Sequence, residues 1–162
     1  MDINKAFGLL MQQEGISLIN VAGDKGGLTK FGIAAASHPE LDVANLTEEQ
    51  AKEIYQKEYW NPLKIDQLPV QLQYAVFSCG VNCGVGTAAK ILKRAARVTD
   101  DGIIGAGTIA SAKQVSIYDF SIEWNCHYKA IVEKDATQQK FFQGWQNRIN
   151  FIISLFKEGK LN

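Results

Sequence analysis

Two carboxylates set ten residues apart, Glu14 and Asp24, and a hydroxyl five residues further on, Thr29, are the side chains here best placed to do chemistry. Ile3, Phe7 and Leu10 stand at i, i+4 and i+7, one face of a 3.6-residue period. Glu14, at i+11, continues that face, so packing of the helix strips water from its carboxyl and disfavours the charged form. Gly15 then serves as a helix stop. Asp24 has the opposite setting. Gly23-Asp24 and Gly26-Gly27 read as turns between a weakly alternating stretch, 17–21, and a β-branched and aromatic stretch, 28–33. A short glycine-rich hairpin carrying Asp24 on an open loop leaves that acid hydrated and ionised. One protonated and one ionised carboxyl form the working pair of glycoside hydrolysis. On spacing alone the same residues also fit a surface acid ending a helix and a turn former.

Around this segment the chain reads as helices. Residues 34–37 suggest a short helix ended by Pro39. Thr47 and Gln50 have the spacing of a capping box. They open a helix with Ala51, Ile54, Tyr55, Glu58 and Tyr59 on one side, stopped at Asn61-Pro62. Tyr59 and Trp60, near its end, fit either core aromatics or a wall for a sugar ring, and the roles are compatible. Residues 63–69 read as a linker into an uncharged helix, 70–82, with glycines at 80, 84 and 86 that break it or admit a close neighbour. Further helices are expected over 87–97, 106–113, 117–133 and 138–157. The last carries a stripe of Phe141, Trp145, Ile149, Ile152 and Phe156. The fold class is mainly α with a small β-hairpin.

Composition narrows the function. The 162 residues, 46% hydrophobic, suffice for one domain or two small lobes. Seventeen basic residues balance seventeen acidic ones, which argues against nucleic acid as the main partner. The basic cluster Lys90, Lys93, Arg94 and Arg97 has helical spacing and reads as a solvated face. Residues 67–89 are uncharged and long enough to span a bilayer, but Pro69, Gln71, Gln73, Asn82 and three glycines favour a buried helix over membrane insertion. Cys79, Cys83 and the Cys126-His127 pair fit no common zinc spacing and read as buried free thiols, with no metal. Asp100-Asp101-Gly102 is a turn without the ligand pattern of a calcium loop. His38 and His127 have no partner pattern for catalysis. The opening Met1-Asp2-Ile3-Asn4-Lys5 leads straight into an amphipathic helix without a secretory signal, and three unframed cysteines suit a reducing cytoplasm.

Glu14-Gly15, followed ten residues on by Asp24-Lys25-Gly26-Gly27-Leu28-Thr29 and then Gly32-Ile33, resembles the motif that opens the family 108 glycoside hydrolases, phage and bacterial N-acetylmuramidases. The usual Glu-Gly-Gly has Ile16 at its third place. Tyr59-Trp60, the segment Phe77 to Gly84 with Asn82, the turn Asp101-Gly102-Ile103-Ile104-Gly105 with Thr108, and Gly144-Trp145 with Arg148 match further motifs in order. Ser78 stands where that family usually has Asp. The resemblance implies a lysozyme-like architecture with a catalytic lobe, 1–69, and a helical lobe, 70–162, similar to a peptidoglycan-binding region and packed as one unit. It implies cleavage of the β-1,4 bond between N-acetylmuramic acid and N-acetylglucosamine. Glu14 would be the general acid, Asp24 a general base on water or a stabiliser of the oxocarbenium-like transition state, and Thr29 the residue orienting that water. Tyr59, Trp60 and Asn82 would contact substrate. No cofactor is required, because proton transfer and charge stabilisation carry such chemistry. The expected partner is the peptidoglycan glycan strand, met by a monomer. The expected setting is phage or prophage lysis, with synthesis in the host cytoplasm and release onto the wall. The alternative is a catalytically silent wall-binding or secretion-accessory module; chitin-type substrates share the same acid chemistry.

Overall fold

Phe7 is the point on which the first part of the fold closes. In the computed structural model, which describes residues 1–14 and 27–161 together with the backbone of 19–20, its ring is 1% exposed. It meets the Tyr55 ring edge-on, with centroids 5.6 Å apart, and tilts against Phe31 at 6.2 Å. Helix α1, Ile3–Glu14, supplies Phe7 together with buried Ala6, Leu9, Leu10 and Met11. The predicted apolar stripe therefore holds through its Phe7 and Leu10 positions. Asp2 opens the helix, its carboxylate accepting the Lys5 amide at 2.8 Å.

Three short strands follow in the order β1 (Ile19–Asn20), β2 (Leu28–Lys30) and β3 (Ile33–Ala34), all antiparallel. Thr29 sits opposite Ile19 on one side and Ala34 on the other. The expected short helix at 34–37 is instead the end of β3 and a turn. The Ala35 amide continues the ladder to the Leu28 carbonyl at 2.8 Å, and Ser37 bonds back to Ala34. A four-residue stretch has too few internal bonds to compete with a sheet edge that accepts its amides. Helix α2, Glu48–Tyr55, begins with the capping box foreseen at Thr47 and Gln50, both bonds being present at 2.9 and 3.2 Å. It passes into a π-helical turn, Gln56–Trp60.

The chain divides into two compact units, Asp2–Glu58 and Tyr59–Asn162, with Met1 joining the second. In the second unit the central element is α3, Val70–Cys83, whose residues from Leu72 through Gly80 are all buried. A helix surrounded on every side needs no polar face, which accounts for the uncharged run. No described helix is long and apolar enough to cross a membrane. Around α3 lie α4 (Val85–Ala95), α6 (Ile117–Lys134) and α7 (Gln139–Lys157), with α5 (Ala106–Ala112) against α4. The bounds agree with the sequence expectation to within two residues at each end.

Three expectations for this unit need correction. Residues 63–69 are not a free connector: Leu63, Ile65 and Leu68 are buried, and Leu63 fills the space beside Gly80, where a Cβ would meet it. Lys93 is not part of a solvated face. It is 7% exposed, and its ammonium donates to the Asp101 carboxylate at 2.5 Å and the Ile103 carbonyl at 3.1 Å. The stripe on α7 is buried only in its second half. Ile149, Ile152 and Leu155 are covered, whereas Phe141 is 48% exposed.

Candidate active site

Glu14 is the last residue of α1 and is half-buried. What covers it is the turn between β2 and β3. Phe31 and Gly32 form that two-residue turn with φ of 52° and 75°, both left-handed, as a hairpin of the primed type requires. Gly32 is at closest approach. A Cβ added there would lie 2.6 Å from the Tyr55 hydroxyl and 3.7 Å from Glu14 Cβ. Only a glycine lets the turn reach both the tyrosine and the stem of the acid. Tyr55 Oη in turn donates to the Phe31 carbonyl at 2.9 Å, which holds the left-handed non-glycine residue in place.

Thr29 lies in the middle strand, two residues before the turn that rests on Glu14. Its backbone is held by a strand on each side. Across β2 and β3, Lys30 pairs with the buried Ile33, so Thr29 and Ala34 occupy the opposite face. Glu14 and Thr29 thus fall within the unit Asp2–Glu58, the first at the end of α1 and the second on the strand that leads into the Phe31-Gly32 turn. Asp24 lies outside the described residues. Tyr55 and the Phe31-Gly32 turn were not among the expected site residues. The available signals were an aromatic on the inner side of α2 and a glycine after two β-favouring residues.

The second unit contains the other expected contacts. Trp60 is core: 1% exposed, its indole N–H donates to Asp66 at 3.0 Å and its ring meets Phe77 edge-on at 5.4 Å. That leaves no face for a sugar ring. Tyr59 is half-buried, and Asn82 is exposed, accepting the Tyr128 hydroxyl at 2.5 Å. Two motif residues far apart in sequence also meet here. Arg148 donates to the fully buried Ser78 hydroxyl at 3.2 Å, a neutral acceptor where the resembling family has a carboxylate. The thiols separate by environment: Cys79 is buried, Cys83 half-buried and Cys126 exposed, so only the first matches the buried thiol expected of all three.

Residues 7–84 match the family model described as Glycosyl hydrolase 108. Among solved structures, that of Brucella abortus SagA superposes with a TM-score of 0.80 at 26% sequence identity, covering 99% of this chain and 96% of that one. No curated protein matches. A mainly α chain with one small antiparallel sheet, in this element order, has the lysozyme-like architecture that the motifs implied. The matched segment begins at Phe7, runs through Glu14, the three strands and the Tyr55-bound turn, and ends at the close of α3. Over that segment, this chain is similar to glycosyl hydrolase family 108.

Proposed function

We propose that this protein is a glycoside hydrolase, an N-acetylmuramidase cleaving the β-1,4 bond from N-acetylmuramic acid to N-acetylglucosamine in peptidoglycan. The family match over residues 7–84 carries the reading, because it spans Glu14, Asp24 and Thr29 together. In the proposed reaction Glu14, protonated, gives its proton to the glycosidic oxygen as the bond to the anomeric carbon breaks. Asp24 activates a water or stabilises the positive charge that develops on the sugar ring. Thr29 orients that water from the central strand. The position of Glu14 at the end of α1, with the Phe31-Gly32 turn against its stem, supports its part in the site.

The biological setting we infer is host lysis by a phage or prophage endolysin, synthesised in the cytoplasm and acting on the wall after release. Purified protein added to a peptidoglycan suspension should reduce its turbidity and release reducing ends borne by N-acetylmuramic acid. Reducing ends on N-acetylglucosamine, or hydrolysis of chitin oligomers but not of peptidoglycan, would overturn the bond assignment. An unchanged suspension to which the protein nevertheless sediments would favour a silent wall-binding module.

A further inference from the structure

On the last turn of α3, an exposed amide is held by a buried phenol in a bond whose direction is fixed. Asn82 accepts the Tyr128 hydroxyl on its Oδ1 at 2.5 Å, and the Cys83 thiol donates to the same oxygen at 3.4 Å. Both bonds of this side chain therefore fall on its oxygen, and its amide nitrogen donates to no described residue. The two ends of an amide are not equivalent, since the oxygen only accepts and the nitrogen only donates. A phenol at an ordinary pKa near 10 carries its proton at neutral pH, and Tyr128 gives that proton to Asn82. Turning the amide over would leave the phenolic proton with a weak sulfur acceptor 3.9 Å away. The oxygen is thus held inward, and the N–H2 group is left for whatever approaches from solvent.

The anchor itself is rigid. Tyr128, on α6, is 1% exposed. Its ring stacks on Trp145 of α7 with centroids 4.7 Å apart and planes 10° from parallel, and it tilts against Trp124 at 5.9 Å. A hydroxyl on a ring packed from two helices has one place to be. Asn82, Tyr128 and Trp145 all belong to the unit Tyr59–Asn162, so the arrangement is complete within it. Unheld, an exposed amide turns freely between rotamers, and fixing it costs that freedom. A binding group whose freedom is already spent loses less when its ligand arrives, which is the advantage of preorganisation.

We propose that Tyr128 is a positioning residue for substrate: it sets the Asn82 amide with its oxygen inward, so that the N–H2 group donates to an acceptor oxygen of the glycan strand. The inference rests on the peptidoglycan reading above, in which Asn82 contacts substrate, and adds which end of the amide makes the contact and what holds it there. Hydroxyl and acetamido oxygens of the sugars supply such acceptors. Tyr128, being buried, acts only through Asn82.

The test compares the intact wild-type protein with Asn82→Asp, Tyr128→Phe and the double variant. Binding to purified peptidoglycan sacculi is measured by sedimentation in the cold, and hydrolysis by loss of turbidity over a range of sacculus concentrations. Aspartate keeps an acceptor for the Tyr128 hydroxyl and lacks the outward donor. A pair that only braced α3 against α6 would leave Asn82→Asp like wild type. The proposal instead expects its Kd and KM to rise about 3- to 10-fold, the worth of one neutral hydrogen bond, with kcat changed by less than about twofold. Tyr128→Phe can keep both ring contacts and frees the amide to turn, so its KM should rise by a smaller factor. The double variant should be no weaker than Asn82→Asp alone, because without the N–H2 group nothing is left to orient. A wild-type Kd and KM in Asn82→Asp, losses confined to kcat, or losses that multiply in the double variant would each overturn the proposal while leaving the muramidase reading intact. Weaker binding in both single variants of a protein that hydrolyses nothing would uphold it and overturn that reading. A wild-type protein that neither binds nor hydrolyses sacculi would overturn both.

Discussion

The Tyr55 hydroxyl donates to the Phe31 backbone carbonyl at 2.9 Å, so a side chain of α2 fixes the turn that rests on Glu14 at the end of α1. Phe31 is a bulky residue held at a φ of 52°. Such a conformation costs on the order of 1–2 kcal/mol and persists only where its surroundings over-determine it. Two constraints do so here. The hairpin register requires a two-residue turn between Lys30 and Ile33, and the tyrosine hydroxyl accepts no other position for that carbonyl without losing its bond. Strain beside Glu14 is thereby tied to Tyr55, 41 positions further along the chain than the acid.

Tyr55→Phe tests that tie. The ring contact with Phe7 can remain, and the bond to Phe31 is lost. Denaturant unfolding should show a loss of about 1 kcal/mol with an unchanged m-value. Peptidoglycan turnover should fall by more than that loss of folded protein explains, because the turn over Glu14 is released. Turnover at the wild-type level would show that the turn is dispensable for activity.

Gly32→Ala should be the more damaging change. The new Cβ would sit at a left-handed φ and 2.6 Å from Tyr55 Oη, so either the turn or the tyrosine must move. Strain of about 1–2 kcal/mol adds to the lost hydrogen bond of about 1 kcal/mol, for roughly 2–3 kcal/mol in all. The double variant with Tyr55→Phe should cost less than the two single losses added, since both act on one contact. Simple additivity in the cycle would mean that the alanine is accommodated elsewhere.

Glu14→Gln isolates the chemistry from the packing. The amide keeps the methylene stem that lies against Gly32 and cannot donate a proton to a leaving oxygen. Turbidity clearance should drop by about 10²–10⁴-fold, the usual contribution of a general acid, with the melting temperature nearly unchanged. Clearance within a few-fold of wild type would take the acid role from Glu14.

The helices were legible in the sequence where local chemistry decided them. Thr47 and Gln50 announce their own capping box, and an uncharged run with small residues can form a helix buried on all sides. Features that depend on distant residues were not. Nothing local distinguishes Lys93 from its basic neighbours; Asp101, eight residues later, closes over it. The 34–37 segment has ordinary helix formers, and only the Leu28 carbonyl, on a paired strand, diverts it. Trp60 has the composition of a sugar platform, and Asp66 together with Phe77 makes it core. The Phe31-Gly32 turn was half visible: the glycine marks a turn, but not that Tyr55 and Glu14 lie against it.

Asp101 gives a prediction for acid stability. Its carboxylate is held below the ordinary range, first by the hydrogen bond from Lys93 and then by the Ile103 amide. A carboxylate lowered in the folded state stabilises the fold above the unfolded value of about 3.9. That contribution disappears as pH falls through the lowered folded value. Asp101→Asn removes it and leaves the buried Lys93 without its counter-charge. The variant should melt below wild type at pH 7, and the gap should narrow as pH falls from about 5 to 2. A gap that stays constant with pH would mean that the loss comes from packing and not from charge.

The stereochemical outcome tests the roles proposed for Asp24 and Thr29 together. A carboxylate about 5–5.5 Å from the acid can bond the sugar and retain configuration, whereas a gap of about 6.5–9.5 Å admits a water and inverts it. Thr29 favours the second. Its backbone is fixed in the central strand by partners on both sides, which gives its hydroxyl a stable position relative to the sheet. A hydroxyl so placed suits the holding of a water and has no evident task if Asp24 attacks the sugar directly. Proton NMR of the first-formed reducing ends should therefore show the α-anomer released from a β-linkage, before mutarotation mixes the two. Thr29→Val should lower turnover while leaving that anomer unchanged, because loss of the hydroxyl loosens the water without changing which face it attacks. A β-anomer appearing first, or a glycosyl adduct on Asp24, would replace the water-mediated mechanism with a covalent one and leave Thr29 without the role assigned to it.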